Sequence, residues 1–460
     1  MMLSTGLVAI DSTVIATAVT SIVDDLGGFS QFPWLFSVYL LASAVTVPVY
    51  AKLADTIGRK PIMLWGIALF LLGSILAGFA WDMPSLIAFR AVQGIGAGAV
   101  LPMAITMVGD IYTLEERARV QGYMASVWAI AAVVGPTLGG VFAQFDAWRG
   151  IFFVNIPLCL LAGWMIWSRF TERVERQRHR IDYAGAVLLT ASMTLLILGV
   201  LQGGTGWAWD SIASLSVFGV GGVLLVAFIL GERRAAEPIL PFWVLSRRLL
   251  STTNVLGFAL GAALIGLTEF VPTFLTVTTG TPPLIAGLAL GALTIGWPVA
   301  ATFAGRLYLR VGFRPTTILG GVILVLSISA LALSTLAPSV WLVAVICFVI
   351  GTGFGFSAIS SLVAAQSSVG WDERGVVTGT QMFFRSIGQS LGAAVLGAIA
   401  NGVILSLGGD ETDAGTMSAA AGAVFVATAV VAIVLLLSAI AMPRMPRPRA
   451  DAVTAETDPA

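Results

Sequence analysis

The chain has 460 residues, of which 58% are hydrophobic and 10% charged, and its 24 basic and 24 acidic side chains cancel. An ordinary soluble domain carries about 25% charged residues, so this sequence cannot cover a water-facing surface, and its zero net charge offers no footing for nucleic acid. Cys159 and Cys347 fall in apolar stretches and the lone His179 in a basic loop, which excludes a disulfide framework, a metal site and a histidine-based triad.

A membrane-crossing helix needs about 20 mainly apolar residues. Fourteen such stretches follow one another, near 3–23, 33–54, 61–81, 83–109, 118–144, 149–168, 183–203, 211–231, 252–275, 284–307, 315–336, 338–366, 375–403 and 417–441. They are about twice the length of a barrel strand and apolar all round, so they read as helices. The first lacks a basic leader and a small-residue cleavage site and reads as a retained span.

Basic residues set the orientation, because short cytoplasmic loops keep positive charge. With the N-terminus inside, 21 of the 24 Lys and Arg residues are cytoplasmic, Arg149 alone lies outside, and Arg90 and Arg385 are within spans. The outer loops instead hold Asp24, Asp25, Asp82, Asp146, Asp210, Asp410, Glu411 and Asp413.

The chain repeats itself. Gly94-Ile95-Gly96-Ala97-Gly98 returns as Gly351-Thr352-Gly353-Phe354-Gly355 at an offset of 257, and Gly135-Pro136-Thr137-Leu138-Gly139 as Gly388-Gln389-Ser390-Leu391-Gly392 at 253. The loop from Ala51 to Lys60 is echoed from Gly305 to Arg314 at 254. Two parallel halves follow, spans 1–6 and 9–14, with spans 7 and 8 inserted. Between spans 8 and 9, Pro238 to Leu245 is apolar but too short to cross and reads as an interfacial segment.

These motifs give the chain a resemblance to the major facilitator superfamily, in particular to its fourteen-spanner drug:proton antiporters. The loop Ala51-Lys52-Leu53-Ala54-Asp55-Thr56-Ile57-Gly58-Arg59-Lys60 resembles the superfamily signature, with Ala51 in place of its first Gly. Leu86, Arg90, Gln93, Gly94 and Gly96 resemble the proton-linked motif of span 4, and Gly135, Pro136, Gly139 and Gly140 the motif that marks exporters. Ile10-Asp11-Ser12-Thr13-Val14, with Trp34, Tyr39, Trp148, Arg149, Phe152, Asn155 and Pro157, is similar to the fourteen-spanner branch, although Thr20 and Gly150 depart from its pattern.

The expected fold is all-α and polytopic: a six-helix bundle over 1–168, inserted helices 7 and 8 with an interfacial linker over 169–251, a second six-helix bundle over 252–441, and a disordered cytoplasmic tail over 442–460. An ion at bilayer depth costs about 2.5–3.5 kcal/mol on the insertion scale and calls for a role. Four such ions occur, Asp11, Arg90, Glu269 and Arg385. Asp11 and Arg90 are placed to meet as a proton-responsive pair or as a fixed salt bridge. Glu269 is a second proton-coupling candidate, or else a carboxyl at a watery mouth.

Gln381, Arg385 and Gln389 recur every four residues and share a helix face that suits a cavity. Tyr39, Gln93 and Trp128 join them as candidate cavity residues. By resemblance, Asp55, Arg59 and Lys60 would form a cytoplasmic gate, with Asp110 as the partner of Arg59. Pro136 among glycines suits a bending element or simple close packing.

No phosphate-binding loop is present, and no nucleophile and base are placed for a membrane-embedded lipid-modifying enzyme. The expectation is a monomeric bacterial inner-membrane exporter of amphipathic or cationic compounds, with both termini cytoplasmic. It would use the proton gradient and no cofactor. Export of a lipid or endogenous metabolite stays open, as does an adaptor protein.

Overall fold

The computed structural model describes residues 1–27, 33–145, 147–172, 182–203, 207–235, 241–370, 373–408 and 413–445. The expectations resting on Asp146, His179, Pro238, Asp410, Glu411 and the tail beyond 445 lie outside the described residues.

Every apolar stretch read from the sequence is helical. In chain order the helices are α1 (Met2–Leu26), α2 (Pro33–Ile57), α3 (Arg59–Gly78), α4 (Met83–Ile111), α5 (Leu114–Gln144), α6 (Gly150–Phe153), α7 (Asn155–Arg169), α8 (Tyr183–Gln202) and α9 (Ile212–Glu232). They continue with α10 (Phe242–Ser246), α11 (Arg248–Thr279), α12 (Pro283–Val311), α13 (Phe313–Ser334), α14 (Val340–Ser367), α15 (Arg374–Leu407) and α16 (Ala414–Ala441). Among the described residues eleven helical stretches are long and apolar enough to cross a membrane, and Met2–Ile15 and Ala184–Val200 are shorter apolar helices.

Two details depart from the sequence reading. The sixth apolar stretch is broken at Val154 into α6 and α7, and the interfacial segment contains the five-residue helix α10, centred a few residues later than expected. The surface explains why the helices need lipid. Helix α9 exposes Leu215, Val223, Val226 and Leu230, each more than half accessible, a face that would aggregate in water and is solvated by acyl chains. The chain is a multi-pass membrane protein.

The helices form two compact units. The first holds Met1–Met107, Val127–Val244 and Gly370–Ser390, and the second Val108–Ser126, Leu245–Val369 and the chain from Leu391 onward. In the first unit Val14, Ile15, Ala18 and Ile22 of α1 pack with Leu35, Ala77, Leu86, Trp148 and Phe152. The inserted helices join the same unit through Leu189, Met193 and Phe228, which pack on Leu41, Val45 and Val47 of α2 and on Phe383 of α15. The core of the second unit runs from Leu256 to Leu275 on α11 through Phe354 of α14 to Val424 and Phe425 of α16.

The repeated glycine triads do the same work in each unit. A Cβ on Gly94 would meet the Tyr39 backbone of α2, and one on Gly96 would come within 2.8 Å of the Phe70 Cα of α3. Likewise, a Cβ on Gly351 would lie 3.0 Å from the Trp297 nitrogen of α12, and one on Gly353 2.7 Å from Leu324 of α13. Each triad thus lets one helix sit directly on two others. Gly58 and Gly312, the equivalent residues before α3 and α13, have φ of 110° and 97°, which only glycine adopts without strain.

Candidate functional site

Within the first unit, four helices and the start of a fifth bring polar side chains to one buried point. Arg90 Nη1 donates to Asp11 Oδ2 over 2.6 Å. The other carboxylate oxygen, Oδ1, accepts from Gln93 Nε2 at 2.7 Å and from Asn155 Nδ2 at 3.0 Å. Both amides also donate to Ser74 Oγ, at 2.7 and 3.2 Å. Arg90 further donates to Gln93 Oε1 at 2.5 Å and to the Leu35 carbonyl at 3.3 Å, and its guanidinium lies 4.2 Å from the Tyr39 ring centroid. Asp11, Arg90, Gln93, Asn155, Ser74 and Tyr39 are each 3% exposed or less.

The local reasons are legible helix by helix. Arg90 and Gln93 are one turn apart on α4 and share a face. Gly94, touching the α2 backbone beside Tyr39, draws that ring under the guanidinium. The break at Val154 makes Asn155 the first residue of α7, which sets its amide toward α1. A desolvated ion pair is costly unless its remaining hydrogen-bonding groups are satisfied, and here Asp11 accepts three bonds. A carboxylate offers about four acceptor sites, so these three donors fill most of its capacity.

The structure brings together Asp11, Arg90, Gln93 and Tyr39 from the sequence reading. Gln93 belongs to the ion-pair network, and the Tyr39 hydroxyl has no hydrogen-bond partner among the described residues. Trp128 is 38% exposed on α5. Gln381 is buried, and Arg385 and Gln389 are half-buried, on the part of α15 that belongs to the first unit. Glu269 lies in the second unit, exposed on α11.

The residues expected to form a gate have a setting that the sequence did not announce. Glu172 accepts the backbone N–H of Arg59 at 2.7 Å and of Lys60 at 2.9 Å, placing a carboxylate on the N-terminus of α3, where the helix dipole favours it. Lys60 Nζ donates to the Trp167 and Phe170 carbonyls at 2.8 and 2.6 Å, a cation on the C-terminal end of α7. Asp55 belongs to α2, and Pro136 and Gly140 to α5, but the surroundings of these three residues lie outside what the structure describes. Arg59 is buried in the first unit, and Asp110 falls in the second. Gly135 and Gly139 are buried on α5.

At the opposite end of α1, Asp25 accepts from Trp148 Nε1 at 3.1 Å and pairs with Arg149, which also donates to the Ala80 carbonyl at 3.0 Å. The Arg149 bond, then that of Trp148, holds the Asp25 carboxyl below its usual 3.8. Sequence reasoning missed Ser74 and Glu172 altogether, and it quoted Asn155 only as part of a motif. No group of metal-ligating side chains occurs among the described residues.

Comparison with known proteins agrees with this architecture. The profile of the Major Facilitator Superfamily matches residues 1–393. The chain is 34% identical over 417 residues to Multidrug resistance protein 3 of Bacillus subtilis, covering 90% of this chain and 81% of that one. It is 34% identical over 408 residues to the multidrug transporter protein MdtP of the same organism, covering 87% and 75%. The human organic anion transporter MFSD10 (TETRAN) shares the fold with a TM-score of 0.69 at 13% identity, over 95% of this chain and 97% of that one. The chain belongs to the major facilitator superfamily and is a membrane transporter, not an enzyme.

Proposed function

We propose that this protein is a proton-coupled exporter of small amphipathic or cationic compounds of the drug and dye type. It would cross the membrane fourteen times as a member of the fourteen-spanner branch, with both termini in the cytoplasm of a bacterial cell. The observation that carries the reading is the buried Asp11–Arg90 pair with its two amide donors. An ion pair this deep is expensive to insert and defaults to a functional role, and neutralising the carboxylate would weaken the charge-assisted bonds that tie α1 to α4 and α7.

The relatives named for multidrug resistance and multidrug transport support the substrate class. The basic residues at one set of helix ends support the orientation. Among the described residues, the helices other than those of four and five residues overlap the fourteen apolar stretches, which supports the span count. In this reading Asp55, Arg59 and Lys60 latch the cytoplasmic side with Asp110. Gln381, Arg385, Gln389, Tyr39 and Trp128 line the substrate path, and Glu269 is the reserve proton carrier.

Energised efflux of ethidium from cells lacking their own pumps tests this directly. Expression of the protein should speed efflux, and a protonophore should abolish the gain. A gain that survives the protonophore would overturn proton coupling, and no gain across a panel of cationic and neutral dyes would overturn the substrate class.

A further inference from the structure

Helix α1 is gripped on two opposite sides. Asp11 points into the network of α3, α4 and α7, whereas Thr13, two positions and about 200° further round the helix, meets α5. Thr13 Oγ1 lies 3.0 Å from the Ala131 carbonyl. The seam runs on toward the start of α1, where a Cβ on Gly6 would lie 3.2 Å from Val127. Gly6 and Thr13 share one face of α1, and Val127, Ala131 and Gly135 share one face of α5. A side chain at Gly135 would land on the Thr13 hydroxyl and 2.8 Å from its Cβ. The glycine of the exporter stretch is therefore what lets α5 reach α1 at this point.

The Thr13 hydroxyl has one proton and three carbonyls in reach: Ala131 of α5 at 3.0 Å, and Ala9 and Ile10 of its own helix at 3.0 and 3.1 Å. Opening the bond between helices leaves no donor stranded, because the hydroxyl swings back onto α1, as threonine does within helices. The contact is thus built to release at little cost.

We propose that Thr13 is a positioning residue that ties the protonation state of Asp11 to helix α5. The groups facing Asp11 are Arg90 of α4, Tyr39 of α2 and the Cys159 thiol of α7. When a proton reaches Asp11, its bonds to α4 and α7 loosen and α1 shifts. The Thr13 hydroxyl then passes its bond from Ala131 to Ala9, freeing the exporter stretch. This rests on the reading of Asp11 as the proton-coupling group.

Hydrogen–deuterium exchange of the full chain in lipid nanodiscs tests the tie without relying on transport. Wild type, Asp11→Asn, Thr13→Val, the double variant and Thr13→Ser are compared over residues 127–139. Asp11→Asn should raise exchange there roughly threefold, the ratio that an interhelical hydrogen bond of average strength supplies in a membrane protein. The double variant should match the single variants, and Thr13→Ser should match wild type. Unchanged exchange in Asp11→Asn, or effects that multiply in full in the double variant, would overturn the tie. Ethidium accumulation driven by a pH gradient is measured alongside. If wild type fails to accumulate dye while the exchange pattern holds, the proton reading falls and the tie stands. If wild type accumulates dye while the effects multiply, the tie falls and the proton reading stands.

Discussion

The side-chain amide of Asn155 donates to Asp11 across 3.0 Å, with both groups buried. A residue at a helix break is thereby the third donor on the carboxylate. Asn155→Ala should cost about 1.5–3 kcal/mol, the range for a hydrogen bond to a charged group, read as a lowered Tm in detergent. Asn155→Asp, which sets a second carboxylate against Asp11, should cost more. Equal Tm values for wild type and both variants would mean that the amide bond contributes nothing.

A second expectation concerns Glu172, which caps two backbone N–H groups at the start of α3. Glu172→Ala should destabilise by about 1 kcal/mol, the usual worth of a lost cap. Glu172→Gln should lose less, because an amide oxygen still accepts. A thermal melt in which Glu172→Ala is unchanged would remove the cap from the account.

The contact of Asp25 with Arg149 and Trp148 gives a pH-dependent expectation. Asp25 has a folded-state carboxyl held below 3.8 by Arg149 and Trp148. Its contribution is therefore present above the unfolded value and is lost as pH falls through the lower folded value. The Tm difference between wild type and Asp25→Asn should be constant from neutral pH to about pH 5 and shrink below about pH 4. A difference that disappears between pH 7 and about pH 6 would contradict this contact.

The glycine triads supply a steric expectation. Gly96→Val and Gly353→Val each force β-branched carbon onto a neighbouring helix, against Phe70 and Leu324 respectively. Overpacking of this kind costs about 1–3 kcal/mol or more. Both variants should be recovered in far lower yield than Gly287→Val, whose site has open space. Comparable yields would show that the approach of the helices is looser than the structure has it.

The legible part of this protein was what lipid enforces. Apolar length gave the helices, and the cost of an ion at depth singled out Asp11 and Arg90 before any contact was known. The repeated glycines showed two parallel halves, and the close packing behind the repeat became visible only in the contacts a Cβ would make. Ser74 stayed hidden because a serine inside an apolar helix is common and bonds its own backbone as readily as a neighbour. Glu172 looked like an ordinary surface charge beside a basic loop. Its signal was faint: a carboxylate in the chain that leaves α7, and a helix starting at Arg59 with no acid of its own in its first turn. Gln93 was assigned to a cavity because polarity alone does not tell a hydrogen-bond network from a lining.

Substrate-induced proton movement in proteoliposomes measures the central claim most directly. With ethidium supplied on one side and a pH dye trapped inside, wild type should move protons against dye, and Arg90→Ala should shift the pH at which it does so. Asp11→Asn should bind and equilibrate dye yet move no protons. Proton movement by Asp11→Asn equal to that of wild type would contradict the account and transfer the role to Glu269.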